Sequence, residues 1–285
     1  MNQKAYIICG PTASGKSSMA INLALESNGV IINADSQQVY RELPILTACP
    51  TQSDYETVPH KLYQFYDGAK RMDASIWIEY AKQEIETALK NNRTPYIVGG
   101  TGFYIKALTE GLSVIPTIPE NIREQVRREG VHAKNADLYA ILQKYDPDLC
   151  KKVKPSDKQR VLRGIEVFRA TGTPLSAWQK QKKIRPLPNI DFDLKIIDFE
   201  MPELEKRIHL RTEEMFKNGV VDEVKKILCE EYPDNAPIFK IIGVNTIWRY
   251  LANKLTLDEA KAELNLLTRQ YAKRQRTFFR TQLSK

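Results

Sequence analysis

Residues Gly10-Pro11-Thr12-Ala13-Ser14-Gly15-Lys16-Ser17 spell a G-x-x-x-x-G-K-[ST] stretch. The apolar run Tyr6-Ile7-Ile8-Cys9 before it reads as a buried strand, and Ser18-Met19-Ala20-Ile21-Asn22-Leu23-Ala24 after it as the opening of a helix. That context supplies the physics. Glycines permit a tight bend, so that successive N–H groups and a helix N-terminus converge on one anion. Lys16 adds positive charge for terminal phosphates, and the Ser17 hydroxyl suits Mg²⁺. The eight residues together are expected to bind a diphosphate or a nucleotide.

Outward from this loop, strands alternate with helices. Val30-Ile31-Ile32-Asn33 predicts a second strand ending at Ala34-Asp35-Ser36, Leu62 to Tyr66 a further one, and Ser75 to Lys90 an amphipathic helix. Pro95-Tyr96-Ile97-Val98 then predicts a strand that stops at Gly99-Gly100-Thr101-Gly102. Such alternation implies an α/β fold: a P-loop NTPase-like parallel sheet with helices on both faces. Ligands in these sheets sit beyond the carboxyl ends of the strands, so the loop, Asp35 and Thr101 should converge. From Pro116 and Pro119 to Pro186-Leu187-Pro188 the pattern turns purely helical and basic. Residues 116–188 are therefore expected to be an all-helical insertion, with 1–115 and 189–285 forming the core domain. The strand pattern resumes at Phe192–Asp198.

Bulk properties narrow the partners. The 285 residues, 42% hydrophobic and 27% charged, describe an ordinary globular chain. No run is long enough to cross a membrane and no signal peptide is evident, which points to the cytoplasm. Four dispersed cysteines and three scattered histidines speak against a zinc site or a disulfide framework. A net charge of +8 calls for a polyanionic partner beyond what one phosphate loop explains.

Several residues invite chemistry. Asp35, in Asp35-Ser36-Gln37-Gln38-Val39-Tyr40, could take a proton from a nucleophile, or equally cap a helix. Ser36 and the two glutamines could hydrogen-bond a heteroaromatic base. Thr101 offers a hydroxyl or is merely a turn residue. Gln159 and Arg163 share a helix face near Arg160, although Gln159 could simply complete a capping box with Ser156. In the last helix, Arg269, Lys273, Arg276 and Arg280 fall at i, i+4, i+7 and i+11, a basic stripe that reads as a nucleic-acid footprint. Tyr271 and Phe278 are expected to pack inward.

The order and spacing of these motifs resemble the tRNA dimethylallyltransferases (tRNA isopentenyltransferases) over nearly the whole chain. The match runs through Gly10–Ser17, Asp35–Tyr40, Gly99–Gly102, Gln159–Arg163, Arg207–Gly219, Ile242-Gly243 and Lys273-Arg274-Gln275. The resemblance implies transfer of a dimethylallyl group from its diphosphate to the exocyclic amine of the adenine just 3′ of the anticodon, with Mg²⁺ as counter-charge. By that resemblance Lys16 and Arg211 attend the diphosphate, with Arg207 a competitor to Arg211, and Ser17 is the metal ligand. Asp35 is the general base and Thr101 positions the reacting groups. The tRNA anticodon stem-loop would be contacted by Asp35, Ser36, Gln37, Gln38, Thr101, Arg123, Gln159, Arg160, Val161, Leu162, Arg163, Lys240, Gly243, Lys273, Arg274, Arg276 and Arg280. A monomer is expected. Val244 and Phe278 stand where the family usually has Tyr and Trp, and His60-Lys61 replaces a commoner His pair.

The chemistry is consistent with that implication. An allylic diphosphate ionises readily once its leaving charge is neutralised, and a carboxylate assists a weakly nucleophilic amine. The target base must also leave its stack. A small-molecule or nucleotide kinase is the alternative enzyme, and an RNA-binding module with a nucleotide-sensing loop the alternative non-enzyme.

Overall fold

The computed structural model describes residues 3–283. They form two compact units, one ending at Thr109 and resuming at Pro186, the other spanning Glu110–Arg185. The helical unit thus begins and ends slightly earlier than the proline signals suggest.

The first unit is built on five parallel strands: β1 (Gln3–Cys9), β2 (Gly29–Asn33), β3 (His60–Lys61), β4 (Thr94–Gly99) and β5 (Ile190–Ile196), in the order β3-β2-β4-β1-β5. Parallel strands buried on both faces need continuous apolar runs, and Gly29–Asn33 is buried at every position. Ile8, Ile31, Tyr96 and Val98 pack with Ala20 and Ala24 of α1 (Lys16–Glu26) in one cluster. Strand alternation sends Ile7, Ile32 and Ile97 to the opposite face, where all three are fully buried as well. The edge strand β5 instead alternates buried or half-buried with exposed positions.

The segment Leu62–Tyr66, predicted as a strand, is a loop. Only His60–Lys61 pairs with β2, because Leu62 and Gln64 adopt left-handed φ values of 61° and 49° that break the extended run. His60 sits between the rings of Tyr55 and Tyr63, at 5.3 and 5.6 Å, and burial lowers its pKa. A short helix α2 (Gln52–Thr57) with a Thr51–Asp54 capping box precedes this strand. Helix α3 (Ala74–Lys90) starts where Asp73 accepts the N–H groups of Ser75 and Ile76, and packs on β2 and β4. Its Trp77 is fully buried, stacks on Tyr104 of α4 (Gly102–Glu110) at 4.7 Å, and donates its indole N–H to the Asn33 carbonyl at 2.9 Å.

The helical unit holds α5 (Glu120–His132), α6 (Asn135–Tyr145), α7 (Pro147–Cys150), α8 (Lys158–Thr171) and α9 (Leu175–Lys180). Val126, Leu138, Leu142, Val161, Ile165 and Val167 contribute to its own hydrophobic core. Its two chain ends are joined by a bridge between Leu112 and Ile184 and by the Lys183–Glu110 ion pair at 3.0 Å. After β5, the first unit is completed by α10 (Met201–Lys217), α11 (Val220–Cys229), α12 (Val244–Leu251) and α13 (Leu257–Gln282). No helix among the described residues is long and apolar enough to cross a membrane.

One buried carboxylate organises the helical unit. Asp146 accepts the N–H of Leu149 at 3.0 Å, the N–H of Ser176 at 2.8 Å and the Ser176 hydroxyl at 2.5 Å. Asp146→Ala leaves those donors without partners, so it should cost about 3 kcal/mol. Hydrogen exchange should accelerate across Glu110–Arg185 while the β-sheet amides keep their protection.

Candidate active site

Three loops meet at the carboxyl edge of the sheet because the strands end level there. Cys9 pairs with Gly99 and Asn33 with Val98. Beyond Cys9, the Gly10–Ser17 loop turns through left-handed backbone at Ala13 (φ 64°) and Gly15 (φ 76°). Left-handed backbone of this kind turns successive N–H groups toward one side of the chain, although the N–H groups of Thr12 and Ser14 are committed to Gln275 and to the Pro11 carbonyl. A Cβ at Gly10 would collide with the Ile197 carbonyl, so that glycine lets the loop lie against the chain leaving β5. Helix α1 starts at Lys16, and its first-turn N–H groups have no intrahelical acceptors. The Ser14 hydroxyl is 2% exposed and has no hydrogen-bond partner, an orphaned donor that an anion would satisfy.

Lys16 donates to the Pro11 carbonyl at 3.2 Å. Desolvation of its ammonium lowers the pKa to about 8; Asp35 pulls it back up and Arg211 pushes it down further. Burial likewise lowers the Arg211 pKa, again against the pull of Asp35. Lys16, Arg211 and Asp35 therefore share one electrostatic environment. Arg211 makes no ion pair or hydrogen bond among the described residues, whereas Arg207 is held by Glu203 at 2.9 Å and by the Phe199 ring at 4.3 Å. Between the two, Arg211 is the cation left uncommitted, although Arg207 also borders Gly15.

Asp35 does not cap a helix. It is 6% exposed and opens a turn, where its Oδ1 accepts the Gln37 N–H at 3.0 Å. Asn33 fixes it from behind: its Oδ1 takes the Asp35 N–H at 2.8 Å, and its Nδ2 donates to the carbonyls of Asp35 and Leu62. Thr101 Oγ1 accepts the Ser36 N–H at 2.8 Å and donates to Ser36 Oγ at 3.1 Å. Tyr271 of α13 lies close enough to Thr101 and Ser36 for both to lower its pKa, although burial, the larger effect, raises it.

Other candidates have structural duties. Gln37 Oε1 accepts the Ile242 N–H at 3.1 Å, next to Gly243. Gln38 spends its amide donors on the carbonyls of Thr47 and Ala48, at 3.1 and 2.7 Å, which leaves no N–H for reading a base. Gly243 has φ 98° at the start of α12, and a Cβ there would press on Leu46 and Leu264. Lys240 is exposed, while Val244 is buried.

The basic stripe of α13 needs correction. Arg276 is 9% exposed and pairs with Asp198 at 2.6 Å and Glu200 at 2.9 Å. Arg280 pairs with Asp198 at 2.7 Å, and Arg269 with Glu205 at 2.5 Å. Although burial opposes ionisation of Asp198, the hydrogen bonds from Arg276 and Arg280 hold its carboxyl below the usual range. Acids delivered by the 198–205 segment thus neutralise three of the four cations. Lys273, and Arg274 near the Tyr271 ring, are exposed and outside these pairs.

Arg123, Gln159, Arg160, Leu162 and Arg163 belong to the helical unit, on α5 and α8. Gln159 and Arg160 are exposed there, and Leu162 half-packs on the unit's core. Val161 is fully buried, so its side chain is not a contact surface. Asp157, not Ser156, caps α8 by accepting the Arg160 N–H, so the Ser156–Gln159 capping box does not form.

Sequence reasoning missed Gln275 as a site residue. It accepts the Thr12 N–H at 2.8 Å and donates to the Gly100 carbonyl at 2.9 Å. A signal existed: Leu264, Thr268, Ala272, Gln275 and Phe279 form the buried stripe of α13 at helical spacing, and Gln275 is the amide within it.

The parallel sheet, with the Gly10–Ser17 loop leading into α1 and the buried Asp35 after β2, defines a P-loop α/β protein. Comparisons sharpen that class. A family model described as IPP transferase matches residues 38–282, and one described as Isopentenyl transferase matches residues 3–65. The chain is 43% identical over 279 residues to the tRNA dimethylallyltransferase of Azorhizobium caulinodans, covering 98% of this chain and 89% of that protein. Among solved structures it resembles tRNA delta(2)-isopentenylpyrophosphate transferase from Staphylococcus epidermidis, with TM-score 0.69 and 30% identity over 99% of this chain and 91% of that one. It also resembles a eukaryotic dimethylallyltransferase acting on tRNA, with TM-score 0.81 and 26% identity over 97% of this chain and 70% of that one. This chain belongs to the tRNA dimethylallyltransferase family.

The lowered pKa of Lys16 has a measurable consequence. Below about pH 8 the ammonium is already charged and assists an anion; above it, binding must take up a proton. Lys16→Met should weaken pyrophosphate binding about tenfold or more at pH 7. The wild-type advantage over this variant, measured calorimetrically, should shrink as pH rises through 8.

Proposed function

We propose that this protein transfers a dimethylallyl group from dimethylallyl diphosphate to the exocyclic amine of the adenine 3′ to a tRNA anticodon, releasing diphosphate. The observation that carries the reading is the joint placement of Lys16, Arg211 and Asp35 around the phosphate loop, in a chain of this family. In the reaction the allylic C–O bond breaks, a C–N bond forms, and the amine gives up a proton.

The residues divide this work. The uncommitted N–H groups at the start of α1, the Ser14 hydroxyl, Lys16 and Arg211 stabilise the charge that develops on the departing diphosphate. Asp35, held by Asn33 and the Gln37 N–H, takes the amine proton. Thr101, bonded to the N–H and the hydroxyl of Ser36, orients the groups beside it. Mg²⁺ would supply further counter-charge to the diphosphate. Among the described residues no group of three or more His, Cys, Asp or Glu side chains could hold a metal ion. The exposed Ser17 hydroxyl is the protein ligand at hand, which fits an ion held mainly by diphosphate oxygens.

Two surfaces are proposed to engage the tRNA. One is the exposed Lys273 and Arg274 on α13, with Lys240 nearby in sequence to the Gln37-bonded segment. The other is the helical unit, through Arg123, Gln159, Arg160 and Arg163.

Incubation of unmodified tRNA with dimethylallyl diphosphate and this protein, followed by mass spectrometry of nucleosides, should show a prenylated adenosine. Transfer of a γ-phosphoryl to a metabolite, with RNA unaltered, would instead establish a kinase. Asp35→Ala should reduce transfer by about 10²- to 10⁴-fold without weakening pyrophosphate binding comparably. Exchanging Lys273 and Arg274 for Glu should weaken tRNA binding and reduce the magnitude of its log–log salt slope by about one and a half; an unchanged slope would exclude this face from the interface.

A further inference from the structure

Gln275 lies within a stretch of basic residues, yet it does not face outward. Its side chain is 5% exposed and both ends of its amide are committed, to Thr12 in the phosphate loop and to Gly100 in the turn after β4. Strands β1 and β4 already pair along Tyr6–Cys9 and Tyr96–Gly99, so the sheet does not need this bridge. It acts only beyond the last paired residues, Cys9 and Gly99, on the two loops themselves.

The surroundings are built to admit it. A Cβ at Gly100 would collide with Gln275 Nε2 and lie 3.1 Å from Asp35 Oδ2, so the amide and the carboxylate both crowd the same glycine. One turn earlier on α13, Tyr271 lies beside Thr101 and Ser36. The bond from Thr12 also commits that N–H within the protein, so it is not offered to an anion.

We infer that Gln275 is a positioning residue, one that sets the separation between the diphosphate cradle and the Asp35–Thr101 side of the cleft. This rests on the prenyl-transfer reading. The reacting carbon must sit in line between the departing oxygen and the attacking nitrogen, and a displacement near 1 Å costs on the order of 10²-fold in rate. Both loops are anchored to one helix, whose outward positions Lys273 and Arg274 are the exposed cations described above. Gln275 therefore serves alignment, not RNA contact and not anion binding.

Gln275→Met keeps length and apolar packing but removes both bonds. With a tRNA anticodon stem-loop and dimethylallyl diphosphate as substrates, it should lower kcat by about tenfold or more, while KM for RNA and Kd for pyrophosphate each change by less than about threefold. Gly100→Ala, which displaces the amide, should give the same signature. Combining the two should cost little more than either alone. A wild-type kcat in Gln275→Met overturns the inference. So does a parallel fall of kcat/KM and pyrophosphate affinity, which would make Gln275 part of the anion site. Should Gln275→Met fail to fold, full activity in Gly100→Ala overturns it. If the wild-type protein itself prenylates no RNA, the proposed function fails; if the wild type is active and these variants are unaffected, the inference alone fails.

Discussion

The parallel register of β1, β4 and β2 is the constraint on which the site depends. With Cys9 beside Gly99 and Asn33 beside Val98, three chain segments leave the sheet at the same level. Just beyond the strands lie the Gly10–Ser17 loop, Ala34-Asp35 and Gly100-Thr101. A slip of one residue in any strand would reverse which side chains face each sheet surface and move its loop out of line. Glycines make the closeness possible: a Cβ at Gly99 would collide with the Ala34 backbone. The fold thus delivers the Gly10–Ser17 loop and the buried Asp35 carboxylate to one edge of the sheet, although about twenty residues separate them in sequence.

Burial then tunes what has been brought together. Lys16 and Arg211 are both depressed in pKa by desolvation, and each is partly restored by the negative charge of Asp35. Two partly desolvated cations thus share the influence of a single carboxylate. Arg207, on the same helix as Arg211, is tied instead to Glu203 and Phe199. Asn33 is the quiet partner: fully buried, it holds the Asp35 backbone and accepts the Trp77 indole N–H through its carbonyl.

Helix α13 serves two environments at once. Its buried stripe carries Gln275 and Arg276 inward, the first to the active-site loops and the second to Asp198 and Glu200. Its outward positions present Lys273 and Arg274. A basic helix of this kind is no simple charged rod; most of its arginines are balanced by acids on the chain that follows β5.

The α/β class and the strand-to-helix turn at Gly10–Ser17 were legible in the sequence, because local pattern encodes them. Gly10–Ser17 needs only its neighbours to bend, and apolar runs of the β2 type betray buried parallel strands. Tertiary structure decided the rest. That Asp35 makes a turn instead of capping a helix, and that Gln38 is spent on the carbonyls of Thr47 and Ala48, are hydrogen-bonding choices that residue type alone leaves open. The same holds for Arg276 and Arg280: a periodic charge pattern shows which residues share a helix face, but not which acids another segment will bring against that face. Charge neutralisation and loop-to-loop bridging depend on three-dimensional distance, which sequence spacing does not record.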